Sequence, residues 1–282
     1  MKNNDLQIEV IDGIMTGLRK SGNEFIYPGY KLRTVPKSQR PENWDKYSEF
    51  SMFPVIGKAA KNIKFENKEV YVGEKHGISR SLPWRKTETE NEFTQIYFPD
   101  SPVKNDKFDP NNPKAAPEFI SLPYNFIHLK SFNIEENILK TDFKIRNIAN
   151  QDMKLEYGWH PWFNIHGSVD DGKFDIGGKD VVSLKDVIEL SKTKEHPIFE
   201  GVDEVVYSND KKGIHLVMNT KGFDNMALWS RGPEYGSFCM EPITHNPRRK
   251  GREPFIQGEY TTIQPGKSKE YSVALKPIIT KK

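Results

Sequence analysis

The sequence predicts an all-β fold, an antiparallel sandwich or barrel, and three observations predict it. Apolar and polar residues alternate over many short segments, the period of half-buried strands. Gly, Asn or Asp stands at nearly every join between those segments, where turns need them. No long segment keeps the 3.6-residue spacing of an amphipathic helix.

Taken in order, 8–12 and 24–27 read as short strands around Gly13, Gly17 and Gly22, an N-terminal hairpin region. Residues 34–49 are polar, carry Pro36 and Pro41, and read as a loop. The apolar stretch 50–56 ends at Gly57-Lys58 as strand and turn, and 64–72 reads as a hairpin tipped by Glu66-Asn67. In 92–98, Phe93, Gln95 and Tyr97 oppose Thr94, Ile96 and Phe98. Residues 99–117, with five prolines, form a long loop, either a lid or binding loop or a surface insertion. Segments 119–132 and 138–146 make the clearest antiparallel pair, with 133–137 as their turn. Leu139, Thr141, Phe143 and Ile145 there alternate with Lys140, Asp142, Lys144 and Arg146. A strand through His160 follows, then strands at 174–184, 204–207, 214–219, 226–230 and 237–241. The last, 269–277, turns Tyr271, Val273 and Leu275 inward after the turn Gln264-Pro265-Gly266.

Composition narrows the function classes. With 35% hydrophobic and 12% aromatic residues the chain can bury a substantial core, and a mean hydropathy of −0.72 describes a heavily solvated surface. No apolar run approaches the ~20 residues that span a bilayer. Residues 1–6 are polar and lack the apolar core of a signal peptide. A single cysteine, Cys239, excludes an intramolecular disulfide, and a cytoplasmic location is expected. A net charge of +3 with scattered basic residues gives no case for nucleic acid.

Three stretches carry chemistry. In Tyr157-Gly158-Trp159-His160-Pro161-Trp162-Phe163-Asn164, alternation sets Tyr157 and Trp159 on one face and Gly158 and His160 on the other. Pro161 removes a backbone donor just after His160, and Gly158 bares the backbone on the histidine's face, as close ligand approach requires. A structural histidine ending an aromatic core strand fits the same residues. In Ser237-Phe238-Cys239-Met240-Glu241-Pro242, Phe238 and Met240 share one face and Ser237, Cys239 and Glu241 the other. The third stretch is His76-Gly77-Ile78-Ser79-Arg80-Ser81-Leu82-Pro83-Trp84.

In this order the three resemble the H-G-x-x-R…W, G-x-H-P-[YW]-F and E-P segments of the aldose 1-epimerase (galactose mutarotase-like) family, over about 50–275. Phe53-Pro54-Val55-Ile56-Gly57-Lys58 is similar to the family's F-P-x-x-N-R turn. The resemblance implies a two-sheet β-supersandwich, a single domain over 1–282, that interconverts the α and β anomers of a hexose. It implies Glu241 as base on O1, His160 as acid on the ring oxygen, and His76 as a sugar-binding residue. Lys58 stands where the family has a substrate-binding Arg, and it lacks the guanidinium's planar fork. Asp224 is the nearest upstream acid for holding sugar hydroxyls. No cofactor or metal is expected, since the His and Glu positions lack metal-ligand spacing.

The partner is then a monosaccharide, with no nucleic acid or membrane, on a monomer or weak homodimer. The basic run Arg248, Arg249, Lys250 and Arg252 reads as a solvated loop, or, with Arg80, as a phosphate clamp that makes the substrate a hexose 6-phosphate. A silent carbohydrate-binding protein and a structural β-sandwich are the readings from other classes.

Overall fold

The computed structural model describes residues 5–42, 46–57, 63–65, 68–70, 75–101, 103–105, 108–113, 117–247 and 260–280. Lys58, the tip Glu66-Asn67 and the basic run at 248–252 lie outside the described residues.

The main strands, in chain order, are β1 (Glu49–Met52), β2 (Glu92–Tyr97), β3 (Phe126–Glu135), β4 (Ile138–Asn147) and β5 (Gly158–Pro161). Next come β6 (Gly172–Ile176), β7 (Asp180–Ser183), helix α1 (Leu184–Lys192), β8 (Ile198–Glu200) and β9 (Glu204–Asn209). The rest are β10 (Ile214–Lys221), β11 (Asn225–Gly232), β12 (Ser237–Ile243) and β13 (Ser268–Ile279). A nine-stranded sheet runs β7-β6-β9-β10-β13-β4-β3-β2, with Arg85–Lys86 at its edge. A second sheet runs β8-β11-β12-β5-β1, and Phe163–Asn164 also pairs with β12. Every pairing among the described residues is antiparallel, as the alternation predicted, and the two large sheets are the architecture that the resemblance implied. Among the described residues no helix is long and apolar enough to cross a membrane.

Alternation decides which side chains meet between the sheets. From the nine-stranded sheet come Phe126, Phe143, Tyr271 and Leu275; from the smaller one Trp159, Leu228, Phe238 and Met240. A second apolar cluster, with Phe50, Met52, Trp162, Ala227, Cys239 and Ile243, lies on the other face of the smaller sheet. That face carries the site.

Three details depart from the sequence reading. The β3–β4 turn has two residues, Glu136 and Asn137, both at positive φ, because Glu135 still pairs with Ile138. Part of the 99–117 segment is strand, since Val103–Lys104 pairs with Phe119–Ile120. The single strand expected over 174–184 is a hairpin, β6 turning into β7 through Gly177 and Gly178 at positive φ, and β7 ends at Ser183, where α1 begins. The Ser183 hydroxyl accepts from the Asp186 N–H, and Leu184, Val187 and Ile188 turn one buried stripe to the core.

A buried polar chain crosses the core. The Gln95 Nε2 donates to the Ser79 and Leu82 carbonyls, leaving its Oε1 as acceptor for His128 Nδ1–H at 3.2 Å. His128 Nε2 then accepts from the Tyr157 hydroxyl at 3.1 Å, and Ser51 completes the chain. Burial, helped by the Lys130 charge, lowers the His128 pKa to about 3. Between about 3 and 6.5 the unfolded chain therefore binds the extra proton, and stability falls as pH drops through that window. The slope from this group is about 1.4 kcal/mol per pH unit. Imidazole proton NMR is expected to show no His128 titration at pH 5–7 (a window chosen around the reference value of ~6.5), and a titration near 6.5 refutes the assignment.

Candidate active site

Glu241 and His160 reach one spot from neighbouring strands. On β12, Phe238 and Met240 enter the inter-sheet core while Cys239 and Glu241 turn the other way. On β5, Trp159 enters the core and His160 turns to the same outer face. The two strands meet at Gly158↔Ile243. His160 Nε2 lies 3.2 Å from Glu241 Oε1, with both side chains under a tenth exposed. The glycine before them serves packing rather than ligand approach: a Cβ at Gly158 would lie 2.5 Å from Met52 Cε and 2.9 Å from Ile243 Cγ2.

The histidine is held by rings. Trp162 stacks on it at 4.1 Å and 15°, Phe50 lies at 4.8 Å, and Trp229 meets it edge-on at 5.9 Å. A stacked indole face also favours the imidazolium when it forms. His160 Nδ1 is buried without a hydrogen-bond partner.

His76 is delivered by the segment that resembled the family's turn. Its N–H donates to the Gly57 carbonyl, its carbonyl accepts from Phe53, and the Gly57 N–H donates to its Nδ1 at 3.1 Å. With Nδ1 accepting, Nε2–H is the free donor of the neutral ring. The residue sits at φ 64°, an uncommon conformation for a side-chain-bearing residue. Gly77 follows because a Cβ there would lie 2.1 Å from the Phe53 carbonyl oxygen.

These groups line a cavity of about 500 Å³, in the size range of small-molecule sites. Burial pushes the Glu241 carboxyl up to about 8, against a smaller opposite pull from Lys75. Burial likewise holds His160 well below the usual imidazole range, aided by the positive charges of Lys75 and Arg80, and it lowers His76 too. Around neutrality the Glu241–His160 pair therefore holds one proton between two groups in direct contact.

The structure brings together Glu241, His160 and His76 and places the other candidates elsewhere. Arg80 does not line the cavity; it braces the aromatic wall from behind, donating to the Tyr47 hydroxyl at 2.7 Å and lying over the Tyr47 and Phe50 rings. Asp224 is exposed in a separate hollow of about 720 Å³ with Glu200, Asp203 and His245, so it does not meet Glu241. Trp84 packs against His128 and the Lys130 ammonium instead of the cavity. None of the described residues of 99–117 lines the cavity.

Sequence reasoning missed Lys75, Ser191, Lys194, His196 and Trp229, all in the cavity wall. Ser191 belongs to α1, and Lys194 (φ 65°) and His196 follow it. The Ser183-x-x-Asp186 cap with apolar residues at 184, 187 and 188 was the signal for that helix. Behind this wall, ligand atoms of Cys239, His160 and Glu241 lie within 4.8 Å of one another.

Neither protein-family profiles nor curated protein sequences match the chain. Solved structures do. A galactose mutarotase related enzyme from Lactobacillus acidophilus superposes with a TM-score of 0.74 at 20% identity, over 98% of this chain and 96% of that one. A galactose mutarotase-like protein from Lactobacillus casei gives 0.73 at 14% identity, over 98% of both chains. A galactose 1-epimerase from Lactobacillus acidophilus gives 0.63 at 13% identity, over 98% of this chain and 92% of that one. With two antiparallel sheets matched almost end to end, the chain has the galactose mutarotase-like fold.

Proposed function

We propose that the protein is an aldose 1-epimerase, interconverting the α and β anomers of a hexose by opening and reclosing the ring. The observation that carries this is the Glu241–His160 contact at 3.2 Å on the wall of a sugar-sized cavity. Anomer exchange removes a proton from O1 and delivers one to the ring oxygen. Both oxygens are bonded to C1, so the base and the acid that serve them must be neighbours. Glu241 takes the O1 proton as His160 protonates the ring oxygen; the C1–O5 bond breaks and C1 becomes the aldehyde carbon. After rotation about C1–C2 the carbonyl presents its other face, O5 attacks, and the two protons return by the reverse steps. The pair gains one proton and loses one, so no cofactor is required for balance. His76 donates Nε2–H to a sugar oxygen, and the Trp229 ring offers a platform to the sugar's apolar C–H face.

Productive chemistry needs one proton on the pair, located on His160, so the pH profile of kcat/KM is expected to be bell-shaped. The order of its limbs reverses what ordinary pKa values give. Loss of the last proton, governed by Glu241, sets an alkaline limb near about 8. Gain of a second proton, governed by His160, sets an acid limb below the usual imidazole value of ~6.5. A rate that is level through both ranges refutes the pair.

A second reading, that the aldose carries a phosphate or carboxylate, is favoured by Lys75, Lys194 and His196 in a wall whose one acidic residue, among the described residues, is Glu241. The experiment that tests both is mutarotation, followed by polarimetry or exchange NMR, with glucose, galactose, their 6-phosphates and glucuronate. Free hexoses turned over fastest uphold the first reading. A preference for the charged sugars that drops at least tenfold in Lys75→Ala/Lys194→Ala upholds the second. No enzyme-dependent exchange with any sugar refutes the epimerase assignment.

A further inference from the structure

Cys239 is the chain's single cysteine, fully buried, and anomer exchange has no role for it. It precedes Glu241 by two residues on the same face of β12, beside the strand that carries His160. Ligand atoms of the three residues lie within 4.8 Å of one another. His160 Nε2 and Glu241 Oε1 are 3.2 Å apart. Nitrogen and oxygen bound to one tetrahedral zinc ion at about 2.0–2.1 Å are separated by roughly 3.3 Å, and a thiolate at about 2.3 Å stands only a little farther off. The nitrogen–oxygen edge of a tetrahedron is thus already formed, and the sulfur completes a face by closing in by at most about 1.2 Å. The donor set of imidazole, thiolate and carboxylate suits zinc-class divalent cations and not magnesium or calcium. A thiolate and a carboxylate neutralise a dication, so the filled site adds no net charge to buried surroundings. Glu241 and His160 line the cavity, so an ion bridging them would be reached from it.

We propose that His160, Cys239 and Glu241 form a site for a zinc-class divalent cation, and that its occupation blocks the acid–base pair. The blocking half rests on the proposed epimerase function; the binding half does not. On binding, the thiol proton and any proton shared by Glu241 and His160 pass to solvent, and the freed lone pairs of sulfur, oxygen and nitrogen are donated to the ion. Neither residue can then exchange a proton with a sugar oxygen. Because His160 Nδ1 makes no hydrogen bond, this ligand lacks an outer-shell partner, and the affinity is expected to fall roughly 10–100-fold short of a fully supported zinc site.

Cobalt(II) titration of the untagged full chain tests the binding half. With one cysteine present, a thiolate-to-cobalt charge-transfer band within the monomeric chain can come only from Cys239. Such a band, with the strong visible bands of four-coordinate cobalt and loss of both on adding Zn²⁺, is the expected result. Cys239→Ala is expected to abolish the charge-transfer band and weaken Zn²⁺ binding by more than the ~100-fold ceiling for losing an outer-shell partner. Absence of the band in the native chain, or equal Zn²⁺ affinity in Cys239→Ala, overturns the site. Should that variant fail to fold, Zn²⁺ protection of the native thiol against alkylation decides instead, and an unchanged alkylation rate overturns the site. The blocking half is read from mutarotation, which is expected to fall in step with Zn²⁺ occupancy and to return with a chelator. A chain that binds cobalt through sulfur but never catalyses exchange refutes the epimerase reading and the blocking half while upholding the metal site. An active chain with no sulfur–cobalt band refutes the metal site alone.

Discussion

Glu241→Gln is expected to lower kcat for anomer exchange by roughly 10²–10⁴-fold, the usual contribution of one positioned acid–base group. The amide keeps the carboxyl's shape and can still bond to His160 Nε2, but it cannot accept and return the O1 proton. Little else should change, because Gln spares the fold a burden that Glu241 imposes. The folded pKa of Glu241 is about 8 against an ordinary 4.5. Between those values the native state binds more protons than the unfolded state, so this group's contribution to stability declines as pH rises through that window. The variant should therefore match the wild type in denaturant resistance at low pH and exceed it above pH ~8. Polarimetry at saturating sugar together with urea midpoints at two pH values checks both halves. A variant that keeps most of the wild-type rate removes Glu241 as the base. His160→Asn is the companion: kcat should fall far more than KM rises.

The second large effect belongs to a residue pair behind the site. Lys130 and Glu49 form a fully buried ion pair, in which Glu49 also takes the Met15 N–H at 3.1 Å and the Trp159 Nε1–H at 2.9 Å. The Lys130 ammonium lies 4.4 Å from the Trp84 ring centre, and burial lowers its pKa against the pull of Glu49. Lys130→Met leaves the carboxylate inside without a cation and is expected to cost about 3–5 kcal/mol. Glu49→Gln/Lys130→Met removes both charges and should recover most of that loss, since a buried pair gains little over a neutral replacement. Urea midpoints at a constant m-value measure it. A loss below about 1 kcal/mol in the single variant would show that the pair is not dry.

Much of this molecule was legible in its sequence. The faces of the 237–241 strand and of the strand through His160 followed from period-2 geometry alone, and that geometry brings Glu241 and His160 to one surface. What escaped has a physical cause in each case. Arg80 and Trp84 stand in a segment that presents His76, but a 3-10 turn follows His76 and carries their side chains to the aromatic wall and the core. Alternation gives no guide through such a turn. Lys194 and His196 were invisible because α1 is nine residues long, too short for its 3.6-residue spacing to stand out. Asp224 was chosen by distance along the chain, and sequence distance does not report which side of a strand end a loop residue takes.

The short strand β1 is inverted relative to what its composition invites. Its apolar residues, Phe50 and Met52, face the cavity side, while Glu49 and Ser51 point between the sheets at Lys130 and Tyr157. Hydrophobicity alone would prefer the strand turned over. A one-residue slip would do that, since it exchanges the two faces of a strand. Slipped one way the chain would set Phe50 against Lys130, and slipped the other way it would bring a second carboxylate to His160; either leaves the lysine without an anion. The buried ion pair thus acts as a register pin. Its worth lies in the misaligned pairing it forbids, and with that pairing forbidden the Phe50 ring can lie only where it walls His160.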